Sequence, residues 1–475
     1  MNAPIARLFA VTVVLFALLV AFTSNWTVFG AESLRKNPKN RRELLETQRI
    51  DRGRIEAAGG TVLARSQRRA DGTYTRRYPQ GGLFSHAVGY SYTRLGRAGL
   101  ESSYDDELTG RRDALGTVFE RLVGTDRRGD DVTTTLDPAA QRVALAQLAG
   151  RKGSVVALDP RTGAVKVLAN EPGYDPNALR DIARFRALNR DPNAPLLDRA
   201  TQAGYPPGST FKVVTTVAGI DSGRFTPTSI ISGRSPKIIS GTPLSNFGGE
   251  QFGPITLTTA LTNSVNTVFA TVGETLGKAT MQRYMKRFGF GAQAAIDLPS
   301  SERATSGERV KGRVVPATAP GVDVGRLAIG QDKLTVTPLQ MAMVAAAVAN
   351  GGELMRPHLA DKVIDRDGRT VKTIGARRLS TVMSERTSRE VGAMMAQVVR
   401  EGSGTAAALQ GVDVAGKTGT AEVDRACGPN QLWFIGFAPV QNPRVAVAAT
   451  IECGTGTGGT VAAPVAKAVM EELLR

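Results

Sequence analysis

The chain is poor in histidine: His86 and His358 are the only two in 475 residues. Neither falls in a metal-ligand spacing, which argues against a multi-histidine site, and no metal is expected. A serine-histidine-acid triad would have to recruit one of the two, and neither lies in a nucleophile-elbow or protease-like context. Any serine acyl transfer would therefore need another base. Aromatic residues are also scarce, at 5%, and no nucleic-acid motif occurs, so nucleic acid poorly explains a net charge of +17. A membrane surface or anionic wall polymers would suit that charge. So would a solvated arginine-rich surface with no partner at all. With two cysteines, Cys427 and Cys453, the chain can make at most one internal bridge. No low-complexity tract interrupts the sequence, and 475 residues call for two or three domains.

Charge is absent altogether from residues 8 to 31, whose apolar part is long enough to cross a bilayer as a helix. Trp26 stands where an interfacial aromatic would help, while Val28-Phe29-Gly30-Ala31 is loosely similar to a signal-peptide cleavage site. After a basic linker, Asp51 to Ile55 and Gly59 to Ala64 read as strand, turn and strand. Asp137-Pro138 marks a helix start, because proline tolerates the first helical position. Ser154–Leu158 and Ala164–Ala169 flank Asp159-Pro-Arg-Thr-Gly163 as a hairpin. Residues 171 to 198, rich in Pro, Asn and Asp, read as a loop. Residues 256 to 288 read as two helices interrupted near Asn263 to Asn266. Gly416–Glu422, Leu432–Ala438 and Arg444–Ile451 read as neighbouring strands, with a final helix over Val461–Leu474. His86 and Glu101 are expected to be structural or interface residues, and Trp433 and Phe434 core.

Three short motifs carry chemistry: Ser209-Thr-Phe-Lys212, Ser264-Val-Asn266 and Lys417-Thr418-Gly419-Thr420. A hydroxyl is a weak nucleophile until something takes its proton. Residues three apart on a helix share a face, so Lys212 can sit beside Ser209. Tyr205-Pro-Pro-Gly208 breaks the chain just before Ser209, and Phe211, Val213, Val214, Val217 and Ile220 continue as an apolar helix face. Ser209 thus lies at a helix start, where free N–H groups favour developing negative charge. A second S-x-x-K, Ser33-Leu-Arg-Lys36, sits in the basic linker and lacks both features.

The order S-x-x-K, S-x-N, K-T-G resembles that of penicillin-binding proteins and serine β-lactamases. The region before it resembles the non-catalytic pedestal of class B penicillin-binding proteins. Two departures stand out: Glu56-Ala-Ala-Gly59 replaces an Asp-Arg-Asn-Gly turn, and Asp332 follows Gln331 where many relatives carry a small residue. The resemblance implies a mixed α/β (α+β) fold in three parts. Residues 1–31 would be a short tail and transmembrane anchor, 32–150 a β-rich elongated pedestal, and 151–475 a transpeptidase domain with a mainly antiparallel sheet flanked by helices. It further implies an uncleaved anchor. Arg35, Lys36, Lys39, Arg41 and Arg42 follow the span and only Arg7 precedes it, so the positive-inside tendency alone favours the opposite orientation. Chemistry outside the cytoplasm overrides that tendency.

The implied reaction is D,D-transpeptidation of peptidoglycan stem peptides ending in D-Ala-D-Ala, with β-lactams as covalent inhibitors and no cofactor. Ser209 would be the nucleophile, Lys212 its base, Ser264 a proton relay and Asn266 a substrate amide partner that also holds Lys212. Lys417, Thr418, Gly419 and Thr420 would bind the substrate carboxylate, with the N–H groups of Ser209 and Thr420 as oxyanion hole. The implied partners are the cytoplasmic membrane and a polytopic membrane glycosyltransferase or divisome proteins. Two other readings stay open: a β-lactamase or D,D-carboxypeptidase that uses water as acceptor, and an antibiotic sensor or scaffold. Cys427 precedes one expected strand and Cys453 follows its neighbour, so the two can form a disulfide or remain buried thiols.

Overall fold

The computed structural model describes residues 3–25, 48–110, 128–423 and 428–475. Its first element is the helix Ala3–Ser24, 22 residues with none buried against the rest of the protein. At 1.5 Å per residue such a helix is about 33 Å long, enough for a hydrocarbon layer of about 30 Å. Its polar side chains are satisfied internally: Thr12 and Thr23 donate their hydroxyls to Leu8 O and Leu19 O at 2.9 and 2.6 Å. Trp26, the motif around Val28 to Ala31 and the Ser33 decoy lie outside the described residues.

Two large sheets organise the rest of the protein. The first runs Thr370–Thr373, Ala360–Ile364, Asp131–Thr134, Ile55–Glu56, Val62–Arg68, Tyr74–Arg77. The expected strand-turn-strand is present, with Ile55 opposite Ala64. A hairpin from residues 360–373 joins this sheet by pairing Val363 with Val132. A division drawn along the sequence at residue 150 gives no sign of that return.

The second sheet is antiparallel, in the order Ala415–Glu422, Asn430–Ala438, Val445–Gly454, Gly153–Leu158, Val165–Glu171. Successive side chains point to opposite faces of a strand, and here both faces are buried. Val156, Leu158, Trp433, Ile435 and Phe437 join one core with the helices Pro338–Ala349 and Glu385–Glu401. Val155, Ala157, Leu432 and Phe434 join another with Pro138–Leu148 and Ala463–Leu474. Double-sided burial is why these strands read as continuous apolar runs. Trp433 and Phe434 are core residues as expected, on opposite faces.

The helix start at Asp137 forms as expected: its carboxylate accepts from Ala139 and Ala140 N–H at 2.9 and 3.0 Å, with Pro138 next in line. The segment 171–198 differs from the expected loop. It contains a 3₁₀ turn, Pro176–Arg180, and a helix, Ile182–Arg190. Asp175 and Asp181, which look like loop residues in the sequence, cap these two elements. The helix buries none of its residues, so it lacks the apolar stripe that periodicity detects.

Candidate active site

Ser209 lies in a 3₁₀ turn, Gly208–Phe211, that runs directly into the helix Lys212–Asp221. Three hydrogen bonds fix the turn: Trp433 Nε1 donates to Pro206 O at 2.9 Å, Thr210 Oγ1 to Pro207 O at 2.8 Å, and Gly208 N to Gly330 O at 3.1 Å. Gly330 has φ +76°, and a Cβ there would come within 2.0 Å of Gly208 O. On the other side a Cβ at Gly419 would stand 2.7 Å from Pro207 O and 3.1 Å from Trp433 Cβ. The glycine of K-T-G therefore lets the strand Ala415–Glu422 lie against the serine turn.

Lys212 is fully buried, and its Nζ meets four oxygens. They are Ser264 O at 2.6 Å, Asn266 Oδ1 at 2.7 Å, Ser209 Oγ at 3.0 Å and Ser264 Oγ at 3.2 Å. The first two are carbonyl oxygens and can only accept. A neutral amine has two N–H bonds for them, which leaves its lone pair facing the two hydroxyls. Once protonated, the same nitrogen has a third donor, and a serine oxygen is there to take it. The Phe269 ring lies 5.7 Å away and helps exclude water.

The S-x-N motif achieves this by ending one helix and starting another. Leu257–Thr262 stops, Ser264 adopts φ +59°, and Val265 N bonds back to Ala260 O at 2.9 Å. That left-handed residue points both its carbonyl and its hydroxyl at Lys212. Asn266 opens the helix Asn266–Arg287, and its Nδ2 donates to Ser245 O at 3.2 Å.

Electrostatics favour the neutral amine. Burial, and then the positive charge of Lys417, push Lys212 well below the ordinary lysine range. Burial alone pushes Lys417 down to about 7. Among the described residues no carboxylate contacts either lysine. An incoming substrate carboxylate would favour the charged form of Lys417. Thr418 Oγ1 is 2.6 Å from Ser403 Oγ, and Thr420 Oγ1 accepts from Gly458 N at 3.1 Å. All eight expected site residues thus belong to one assembly around the Ser209 turn. Among the described residues, no group of three or more His, Cys, Asp or Glu could hold a metal ion.

Sequence reasoning missed Ser245, Ser403 and Gly458, which belong to no short motif and act mainly through backbone atoms or single hydroxyls; Gly330, part of a Gly330-Gln331 segment that resembles the family, carries no role that the sequence alone discloses. It also took Trp433 for core alone, although its indole N–H holds Pro206. Asp332 sits at φ +68° on the loop after Gly330. Burial, and then Asp332, push the Glu308 carboxyl up to about 7. Cys453 is disulfide-bonded, while Cys427 lies outside the described residues. Gly428, the next described residue, packs so closely on Cys453 that a Cβ would meet Cys453 O at 2.3 Å.

The fold and the serine-lysine site define a penicillin-binding protein, and the chain belongs to the penicillin-binding-protein transpeptidase family. The penicillin binding protein transpeptidase domain matches residues 153–471, and the penicillin binding protein A dimerisation domain matches 52–132. Peptidoglycan D,D-transpeptidase PbpA of Mycolicibacterium smegmatis is 37% identical over 508 residues, spanning 100% of this chain and 99% of its own. The ceftriaxone acyl-enzyme of penicillin-binding protein A from M. tuberculosis superposes with a TM-score of 0.83 at 31% identity. That match covers 91% of this chain and 100% of the other. A D,D-transpeptidase domain from Eggerthella lenta superposes with a TM-score of 0.79 at 35% identity, covering 90% and 98%.

Proposed function

We propose that this protein cross-links peptidoglycan stem peptides through an acyl-enzyme on Ser209. The observation that carries the assignment is the buried Lys212 nitrogen, within hydrogen-bond distance of two carbonyl oxygens and of Ser209 Oγ, so that in the neutral amine the carbonyls take both N–H bonds and the lone pair is left for Ser209. Ser209 Oγ attacks the carbonyl of the penultimate D-Ala and its proton passes to Lys212. The backbone N–H groups of Ser209 and Thr420 stabilise the developing oxyanion. The C–N bond then breaks, and the terminal D-Ala leaves with a proton returned from Lys212 through Ser264. An amine of a neighbouring stem attacks the ester and gives up its proton to Lys212; the ester C–O bond breaks, and Lys212 returns that proton to Ser209 Oγ, freeing the serine. One peptide bond replaces another, so the exchange needs no external energy source. Asn266 holds Lys212 and binds a substrate amide. Thr418, Thr420 and Lys417 take the donor carboxylate, with Gly419 giving them access.

In this reading residues 1–31 anchor the chain in the cytoplasmic membrane and 32–150 form a pedestal. Residues 151–475 work outside the cytoplasm, in wall growth or division, and a polytopic membrane glycosyltransferase supplies the glycan strands. An amine acceptor is favoured over water because no Glu-x-x-Leu-Asn segment, which class A β-lactamases use to activate water, occurs between Asn266 and Lys417. The test is a cross-linking assay with full-length protein and defined pentapeptide stems, followed by mass spectrometry of the dimers. Dimers and free D-Ala should form with wild type and not with Ser209→Ala. Release of D-Ala with tetrapeptide as the sole product would replace transpeptidase with carboxypeptidase.

A further inference from the structure

A cavity of about 370 Å³ lies far from the three motifs, between the strands Val62–Arg68 and Tyr74–Arg77, the 91–95 turn and residues 179–182. Five arginines line it, Arg52, Arg69, Arg76, Arg94 and Arg180, and no Asp or Glu does. Arg52 and Arg76 are buried and grip Glu101 at 2.6 and 2.5 Å, and Arg52 also pairs with Asp105. The grip is incomplete: Arg76 Nη2 is buried with no hydrogen-bond partner. A buried guanidinium nitrogen left without an acceptor is costly. Arg69, Arg94 and Arg180 are exposed and form no ion pair among the described residues. Hydroxyls of Ser91 and Thr93 add further donors.

We propose that this cavity binds a phosphate-bearing anion. Guanidinium forks match phosphate oxygens in pairs, and a phosphate brings up to two charges and several acceptors to one point. Three exposed arginines without an ion pair, beside the open Arg76 Nη2, suit such a multivalent anion better than one carboxylate. Two sources share that chemistry, a lipid headgroup and a soluble phosphorylated wall polymer. Gln48 lines the cavity and the apolar helix ends at Ser24. A chain of that separation spans at most about 80 Å, so headgroups are within covalent reach. The lipid source rests on the anchor reading, whereas the soluble source does not.

The experiment is arginine footprinting of the full-length protein with phenylglyoxal, read residue by residue by mass spectrometry. In detergent, inorganic pyrophosphate should slow modification of Arg94 and Arg180 at least about three-fold through charge-assisted contacts. Arg386, an exposed residue of the helix Glu385–Glu401 that does not line the cavity, should be unaffected. The double variant Arg69→Gln/Arg94→Gln should need about tenfold more pyrophosphate to protect Arg180, with its melting temperature as the folding control. In nanodiscs, protection by phosphatidylglycerol and not by phosphatidylcholine would assign the site to lipid headgroups. Protection by pyrophosphate without an effect of phosphatidylglycerol would assign it to a soluble ligand. Equal slowing at Arg386, no protection by either phosphate probe, or stronger protection by an oligoglutamate peptide would overturn the proposal.

Discussion

Two regions of this molecule bury charged side chains completely, and they do it in opposite ways. Around Glu101, Arg52 and Arg76 close on its carboxylate and Arg52 also pairs with Asp105, so every charge has a counter-charge within hydrogen-bond distance. Burial costs each ion several kcal/mol, and direct pairing offsets that cost. Glu101 accordingly stays below the usual carboxylate range: although burial alone would raise it, Arg76 and Arg52 hold it down. Around Ser209 the two buried cations, Lys212 and Lys417, have only neutral oxygens near them. Nothing offsets their desolvation, so the cheapest response is loss of a proton. Buried charge stays ionised where it is paired and is driven toward the neutral form where it is not.

The largest effect should come from breaking the unpaired side. Lys212→Ala removes the proposed proton acceptor and should slow acylation by a fluorescent penicillin about 10²- to 10⁴-fold in stopped flow. A near-normal rate at neutral pH would remove Lys212 from that role. Breaking the paired side should act on stability instead. Glu101→Ala leaves Arg76 buried without a carboxylate and Arg52 with Asp105 alone, and should cost about 3–5 kcal/mol in urea unfolding. The surviving folded enzyme should acylate at the wild-type rate; a slower rate with unchanged stability would contradict the division.

A subtler change converts one side toward the other. Lys417→Gln removes the positive charge that Lys417 carries below about pH 7; without that charge the protonated form of Lys212 is less disfavoured and its pKa rises. The acid limb of the acylation pH profile should move to higher pH, whatever happens to substrate affinity. No movement would show that Lys417 does not act on Lys212 through its charge. The smallest effect concerns an intermediate case, Glu302, whose carboxylate accepts from Gly99 N at 3.1 Å without a cation. Burial, with Asp198 adding to it against the Gly99 hydrogen bond, pushes it up to about 7 from 4.5. The folded state therefore binds more protons between those values, and stability falls as pH rises through that window. Glu302→Gln should remove this fall, raising the melting temperature at pH 8 by a few degrees while leaving pH 5 nearly unchanged. Equal shifts at both pH values would mean that the carboxyl does not titrate in this window.

The two regions also differ in how far the sequence disclosed them. The catalytic assembly was legible because each motif does a local job: a proline-glycine break before Ser209, a left-handed Ser264 between two helices, a glycine where two backbones touch. The strands of the second sheet were legible from their apolar runs. Glu101 was expected to be structural, but its partners Arg52 and Arg76 lie 49 and 25 residues away, and no periodicity links them. The 360–373 hairpin closes the first sheet from some 230 residues downstream, a pairing decided by tertiary packing and not by local pattern. The helix Ile182–Arg190 escaped because its caps resemble loop residues and it has no buried face.

The central claim is that Lys212 is neutral in the resting enzyme. It is tested most directly by the second-order rate constant for penicillin acylation of Ser209, measured from pH 5 to 10.5 in wild type and in Lys417→Gln. A depressed Lys212 gives a wild-type acid limb well below the ordinary lysine value of 10.5, a plateau at neutral pH, and a limb at higher pH in the variant. A wild-type rate that climbs steadily with pH up to 10.5 would mean an ordinary charged lysine, and Lys212 could not be the resting base.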